Sequence, residues 1–156
     1  MRKTIDSILG KLCLLLLSIM LFAVVWQVIA RFILQSPSTI TDEISSYSLI
    51  WVGLLGAAYA TGQHLHLAID LIPEKFVEKN SRLFDGFVHL CVFSFGFFVM
   101  IIGGWRLCQL SFQFEQKSAS LGIPLGFVYL VVPLAGILIC YFSIDTFFKK
   151  VISSKA

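Results

Sequence analysis

The chain has 156 residues, 58% of them hydrophobic and 13% charged, with a formal net charge of +3 and a mean hydropathy of +0.89. Four long apolar stretches, residues 12–34, 44–62, 86–110 and 123–148, hold no Asp, Glu, Lys or Arg in their interiors, and a helix needs about 20 such residues to cross a bilayer. These stretches and their short links use up nearly the whole chain, which leaves no room for a soluble domain. A nucleophile triad, a phosphate loop and a nucleic-acid surface are equally missing from the pattern.

The first stretch follows Arg2, Lys3 and Lys11 and ends in Val28-Ile29-Ala30, which resembles the cleavage site of a secretory leader. Its apolar run exceeds the roughly 7–15 residues of a leader core, and Trp26-Gln27 approach such a site poorly, so a retained anchor helix is expected. The link through residues 35–43 is short and forces the first two helices to be adjacent and antiparallel. Thr41 is placed to cap the second helix, with Asp42 and Glu43 suited to the positive end of its dipole. Gln27 and Arg31, one turn apart, then face the two acids across a membrane boundary. A cluster of this kind could hold a carboxylate, or it could lock two helices together and dock another protein.

In the second stretch, Gly53 with Ala57 and Gly56 with Ala60 repeat at intervals of four, a spacing that lets helix backbones approach closely in lipid; packing within the chain is the default expectation. Tyr47 and Trp51 belong nearer the outer half, where amphipathic aromatics favour the interface. After His64 and His66, Pro73 is placed to open a short helix along the inner interface, with Phe76, Val77, Leu83 and Phe84 on one side and Glu74, Lys75, Glu78, Lys79 and Arg82 on the other. An ordinary cytoplasmic link is the alternative. Past the third stretch, Arg106, Gln109, Gln113 and either Gln116 or Lys117 form one polar stripe of a continuing helix. Residues 118–122 read as a turn, Pro124 as the start of the fourth helix, and Pro133 with Gly136 as a kink or a close contact inside it.

Lys and Arg on loops set membrane orientation. Nine of the 12 fall before the first span, between the second and third, and after the fourth, whereas Arg31, Arg106 and Lys117 fall on the opposite side. The expectation is therefore an all-α integral membrane protein, a single four-helix domain over residues 1–156, with both termini cytoplasmic and a bacterial inner membrane as its setting. Cys13, Cys91, Cys108 and Cys140 show no close pairing and read as small core residues; no disulfide framework and no metal site is expected. His64, His66 and His89 near the inner ends of the second and third helices offer the alternative of a haem-carrying anchor subunit of a respiratory oxidoreductase. A proton-coupled exporter would place an acid inside the membrane, and a quinone-linked thiol oxidase would need outward cysteine pairs; neither pattern is found.

The order Gln27-Val28-Ile29-Ala30-Arg31-Phe32, Thr41-Asp42-Glu43, Trp51 with Gly56-Ala57-Ala58-Tyr59-Ala60, His66-Leu67-Ala68-Ile69-Asp70, then residues 118–124 with Pro133 and Gly136 resembles the small membrane subunit, DctQ type, of tripartite ATP-independent periplasmic (TRAP) transporters. Phe32 stands where that family commonly has Tyr, and Leu125-Gly126-Phe127 where it often has Trp. The resemblance implies a non-enzymatic subunit with no cofactor, partnered by a large multi-helix TRAP membrane subunit and a periplasmic substrate-binding protein in sodium-driven uptake of organic acids. In that family the large subunit contains the substrate and sodium sites. Gln27, Arg31, Asp42, Glu43, Trp51, Gly53, Gly56, His66, Asp70, Pro124 and Pro133 are then the residues expected to shape the subunit or its contact with the large one. C4-dicarboxylates, sialic acids and other organic acids are all compatible, because the small subunit need not touch the substrate.

Overall fold

A computed structural model describes residues 2–36, 38–63 and 81–153 of the chain, with side chains at 4–36, 38–63 and 86–146. The described residues are helical apart from turns and one isolated bridge between Lys117 and Pro124. The helices are α1 (Arg2–Phe32), α2 (Thr39–Gly62), α3 (Ser81–Ser94), a π-helical segment (Phe95–Gly103), α4 (Gly104–Gln113), α5 (Leu125–Tyr129) and α6 (Val131–Ser153). Four helical rods, Thr4–Phe32, Thr39–Gly62, Gly86–Gln113 and Leu125–Thr146, are long and apolar enough to cross a membrane. Of the interfacial helix expected from Pro73, residues 73–80 lie outside the described residues, and 81–85 are the first turn of α3.

α1 begins well before its apolar stretch and persists to Phe32 because no Gly or Pro interrupts it between Lys11 and Phe32. It closes by a Ser36 N–H to Ala30 carbonyl bond of 3.1 Å, with Gln35 in the left-handed region at φ 50°. α2 starts earlier than the acids suggested. Its cap is Ser38, not Thr41, whose hydroxyl instead donates back to the Ser38 carbonyl at 3.0 Å. The short link does set α1 antiparallel against α2: Gln27 meets Asp42 at one end, and at the other Asp6 lies against Gly62 with Gly10 under the Tyr59 ring one turn away.

The third rod changes its winding in the middle. Gly96, Met100, Gly104 and Cys108 are buried at successive steps of four, and in an α-helix each such step drifts by about 40° around the axis. The wider i→i+5 turns of the π-helical segment reduce that drift, so that Gly96, Met100 and Gly104 share one face towards α6. There the backbones approach closely. A Cβ on Gly136 would lie 2.8 Å from the Met100 Cβ and 3.1 Å from the Gly96 carbonyl oxygen, and one on Gly104 would lie 3.1 Å from the Pro133 nitrogen.

The fourth rod is interrupted at Leu130, between α5 and α6. Pro133 has no N–H for the Tyr129 carbonyl, which removes one rung at the break. α6 is the hub, touching α2, α3, the π-helical segment, α4 and α5. The core accordingly centres on it: Val131, Ala135, Ile139 and Phe142 pack with Leu9, Leu55, Ala58 and Met100.

Candidate functional site

At one end of the bundle, the turn between α4 and α5 folds back on itself. Glu115 adopts φ 46° and Gly122 φ 65°, both left-handed reversals. The Ser118 N–H donates to the Ile123 carbonyl at 2.9 Å, and the Leu125 N–H donates to the Gln116 carbonyl at 2.9 Å. This geometry points successive donors inward. Into them projects Glu43 from the first turns of α2, accepting hydrogen bonds from Ser118 Oγ, the Ser120 N–H at 3.0 Å and the Leu121 N–H at 3.1 Å. The cradle resembles the backbone nests that hold anions, here filled by a side chain of the same protein. Ser118, buried, also accepts from the Leu121 N–H at 3.1 Å, so the turn is braced from within.

The neighbouring acid is used differently. Asp42 accepts from Gln27 Nε2 at 2.7 Å, which ties the far ends of α1 and α2. The pairing expected between Arg31 and the two acids is not made: Arg31 is exposed in the last turn of α1 and has no ion pair among the described residues. A shorter, neutral amide one turn earlier takes the contact instead, and the Arg31 cation is left at the negative end of the α1 dipole.

A second polar tie lies deeper. Trp51 Nε1 donates to the Val128 carbonyl at 3.1 Å, fastening α2 to α5 just before the break at Leu130. Pro124 caps α5, and Phe112 covers Gly126 while meeting Phe127 edge-on at 5.2 Å. At the opposite end of the bundle, Ser143 Oγ donates to the carbonyl of buried His89 at 3.1 Å, and Cys140 Sγ to that of Phe93 at 3.7 Å, joining α3 to α6. His64, His66 and Asp70 lie outside the described residues. Among the described residues no three His, Cys, Asp or Glu side chains converge as a metal set. The four cysteines are free: Cys108 and Cys140 buried, Cys13 half-buried and Cys91 exposed.

The small residues of α2 depart from expectation. Nothing lies within 4 Å of a Cβ placed on Gly53 or Gly56. α2 turns Leu55 and Ala58 into the core, and that rotation leaves Gly53 and Ala57 on the outside, away from α1 and α6. The polar stripe of Arg106, Gln109 and Gln113 is exposed along α4, which packs inward through Gly104, Cys108 and Ser111. The apolar residues opposite it, Leu107 and Leu110, are exposed as well.

The sequence model of the family described as tripartite ATP-independent periplasmic transporters, DctQ component, matches residues 5–152. This chain belongs to that family. It is 29% identical over 136 residues to a Haemophilus influenzae protein named as a TRAP transporter small permease protein, covering 86% of this chain and 82% of the relative. It is also 25% identical over 154 residues to the sialic acid TRAP transporter small permease protein SiaQ of Vibrio cholerae, covering 96% and 84%. A third relative is longer: the sialic acid TRAP transporter permease protein SiaT of Haemophilus influenzae is 26% identical over 115 residues, 74% of this chain but 18% of that protein. The chain is thus a multi-pass membrane protein of the TRAP small permease family, and the haem-anchor alternative gains no support.

The residues that join Glu43 were missed in the sequence. Serine at 118 and the left-handed Gly122 gave a turn, but the partner of that turn is more than 70 residues away. Gly96 and Gly104 were also passed over, although glycines eight residues apart, with Gly136 on the next rod, are the available signal for the close seam.

Proposed function

We propose that this chain is the stationary membrane footing of a two-part carrier. It packs against the scaffold of a large, multi-helix TRAP permease in a bacterial inner membrane, with both termini in the cytoplasm. The large subunit moves organic acids with sodium after a periplasmic binding protein delivers them. The observation that carries this reading is the SiaT relative, in which a stretch similar to this chain is 18% of a longer permease polypeptide. A module that is covalently joined to the rest of a permease in one protein is expected to sit beside that part when the two are separate chains. An ion-coupled carrier needs binding groups near the midplane, and the interiors of the four stretches here supply no charged side chain.

Within this reading the expected residues divide by the direction they face. Gln27, Asp42, Glu43, Trp51, Pro124 and Pro133 set the internal geometry that holds the four rods at fixed angles. Gly53, Gly56 and Arg31 are contact positions for the large subunit, and His66 and Asp70 belong to the same assignment on the cytoplasmic side. Co-expression with a large TRAP permease tests the proposal: the tagged small chain should retain the larger protein through purification. Gly53→Leu should lower that retention several-fold while leaving the isolated chain folded. Recovery of the small chain alone, with the large permease in the unbound fraction, would overturn the reading.

A further inference from the structure

α4 presents an outward surface that suits neither lipid nor water. Each residue of an α-helix turns about 100° around the axis, so Arg106 lies about 160° from buried Cys108, and Gln109 and Gln113 each about 160° from buried Ser111. All three therefore point away from the fourth rod, which α4 meets through Gly104 at Val132 and Pro133. They are exposed, and their side chains make no hydrogen bond or ion pair among the described residues. The stripe they form runs along about 10 Å of the helix.

At each level of the stripe a large apolar side chain is exposed on the same turn: Trp105 at 57% with Arg106, Leu110 at 44% with Gln109, and Phe114 at 68% with Gln113. Hydrocarbon would leave the guanidinium and the two amides without partners. Water would leave the aromatic and leucine surface uncovered. Raising or lowering the rod in the membrane only exchanges one cost for the other, whereas a protein surface removes both. Ionisable groups on membrane helices ordinarily face the interior of their own bundle and pair there. This stripe belongs to a rod long and apolar enough to cross a bilayer, Gly86–Gln113, yet it faces out of the bundle. A long arginine can extend to a lipid headgroup, but a phosphate, which only accepts, answers half of what each glutamine amide offers.

We propose that this stripe seats a membrane helix of the large TRAP permease that presents a carboxylate to Arg106 and amide or hydroxyl groups to Gln109 and Gln113. The contact rests on the two-part reading above, and it adds a polar clasp to the small-residue positions of α2. The cation selects an acid on the partner, because none pairs with it among the described residues. The two amides, each a donor and an acceptor, select side chains of like kind. Positions 106, 109 and 113 follow one line along α4, which a second helix laid beside it can match.

The test uses the full chain, tagged and co-expressed with a large TRAP permease, with the photoreactive residue p-benzoylphenylalanine in place of Gln109. Irradiation of the membranes should join the two chains in one adduct. Without the photoreactive residue, Arg106→Glu should lower the permease retained by the tagged chain about tenfold, and Arg106→Lys should stay within about twofold of the unchanged chain. Both variants should keep the thermal midpoint of the isolated chain, because the stripe touches nothing within it. Full retention by Arg106→Glu would overturn the contact. So would adducts only with phospholipid or with a second copy of the small chain, no adduct at all, or a lowered midpoint, which would assign the stripe to the chain's own fold. In each of these cases, co-purification of the two unchanged chains would leave the two-part reading standing. Failure of the unchanged chains to co-purify would instead overturn that reading, and this contact with it.

Discussion

α1 and the fourth rod, most of which is α6, are both apolar enough to cross a bilayer, yet the most apolar window of α1 is 6% buried within the chain and that of the fourth rod 50% buried. Apolarity does not separate them. What separates them is the supply of small and hydroxyl-bearing residues: α6 carries Ala135, Gly136, Ser143 and Thr146, all buried, whereas α1 buries Leu9, Ala23 and Ala30 and turns Leu14, Leu15 and Leu17 outward. In lipid, a leucine gains little by leaving hydrocarbon for protein, so helix association rests on close backbone approach and interhelical hydrogen bonds. The hub of this bundle is the helix that offers both. α1, which offers one glycine to Tyr59 and one amide to Asp42, is held by α2 and keeps most of its surface for the membrane or for a companion.

The comparison can be broken most severely at the seam. Gly136→Val would drive a side chain into Met100 and the Gly96 carbonyl, contacts that backbone cannot yield, and should cost about 3 kcal/mol in detergent unfolding experiments. A variant of normal stability would show that the close approach of the π-helical segment to α6 does not support the fold. Removal of the carboxylate by Glu43→Ala comes next. The Ser120 and Leu121 amides should then exchange hydrogen markedly faster, and the thermal midpoint should fall; unchanged protection at both amides would mean the turn closes without the acid. Trp51→Phe keeps an aromatic ring but deletes the donor to Val128, for an expected loss of about 1 kcal/mol. At the small end, Leu15→Ala on the exposed side of α1 should change the stability of the isolated chain by less than about 0.5 kcal/mol. A loss like that at Gly136 would place α1 in the core after all.

The rods were legible because each is a long apolar run bounded by charges, and the adjacency of α1 and α2 followed from a link too short to allow anything else. The features that organise the interior were harder to read. Gly53 and Gly56 have the spacing of a packing face, but Leu55 and Ala58 have a claim to the opposite side, and only the position of α6 decides which side turns inward. The π-helical segment hides in a stretch whose phenylalanines suit any helix face, since lipid and protein accept them alike. Glu43 was marked as a polar residue of interest, but its donors come from a turn beyond Gln113, and nothing local to Glu43 specifies them. Arg31 drew attention as the cation nearest two acids. Geometry gave the contact to Gln27, one turn closer to the core, and left Arg31 facing out.

On the proposed role as the footing of a two-part carrier, the chain supports transport only as part of a larger assembly. Sodium-driven uptake in proteoliposomes holding the small chain alone, the large permease alone, or both, each supplied with the binding protein, measures this directly. Uptake is expected when both membrane chains are present, and none with the small chain alone. Uptake by the small chain alone would contradict that role.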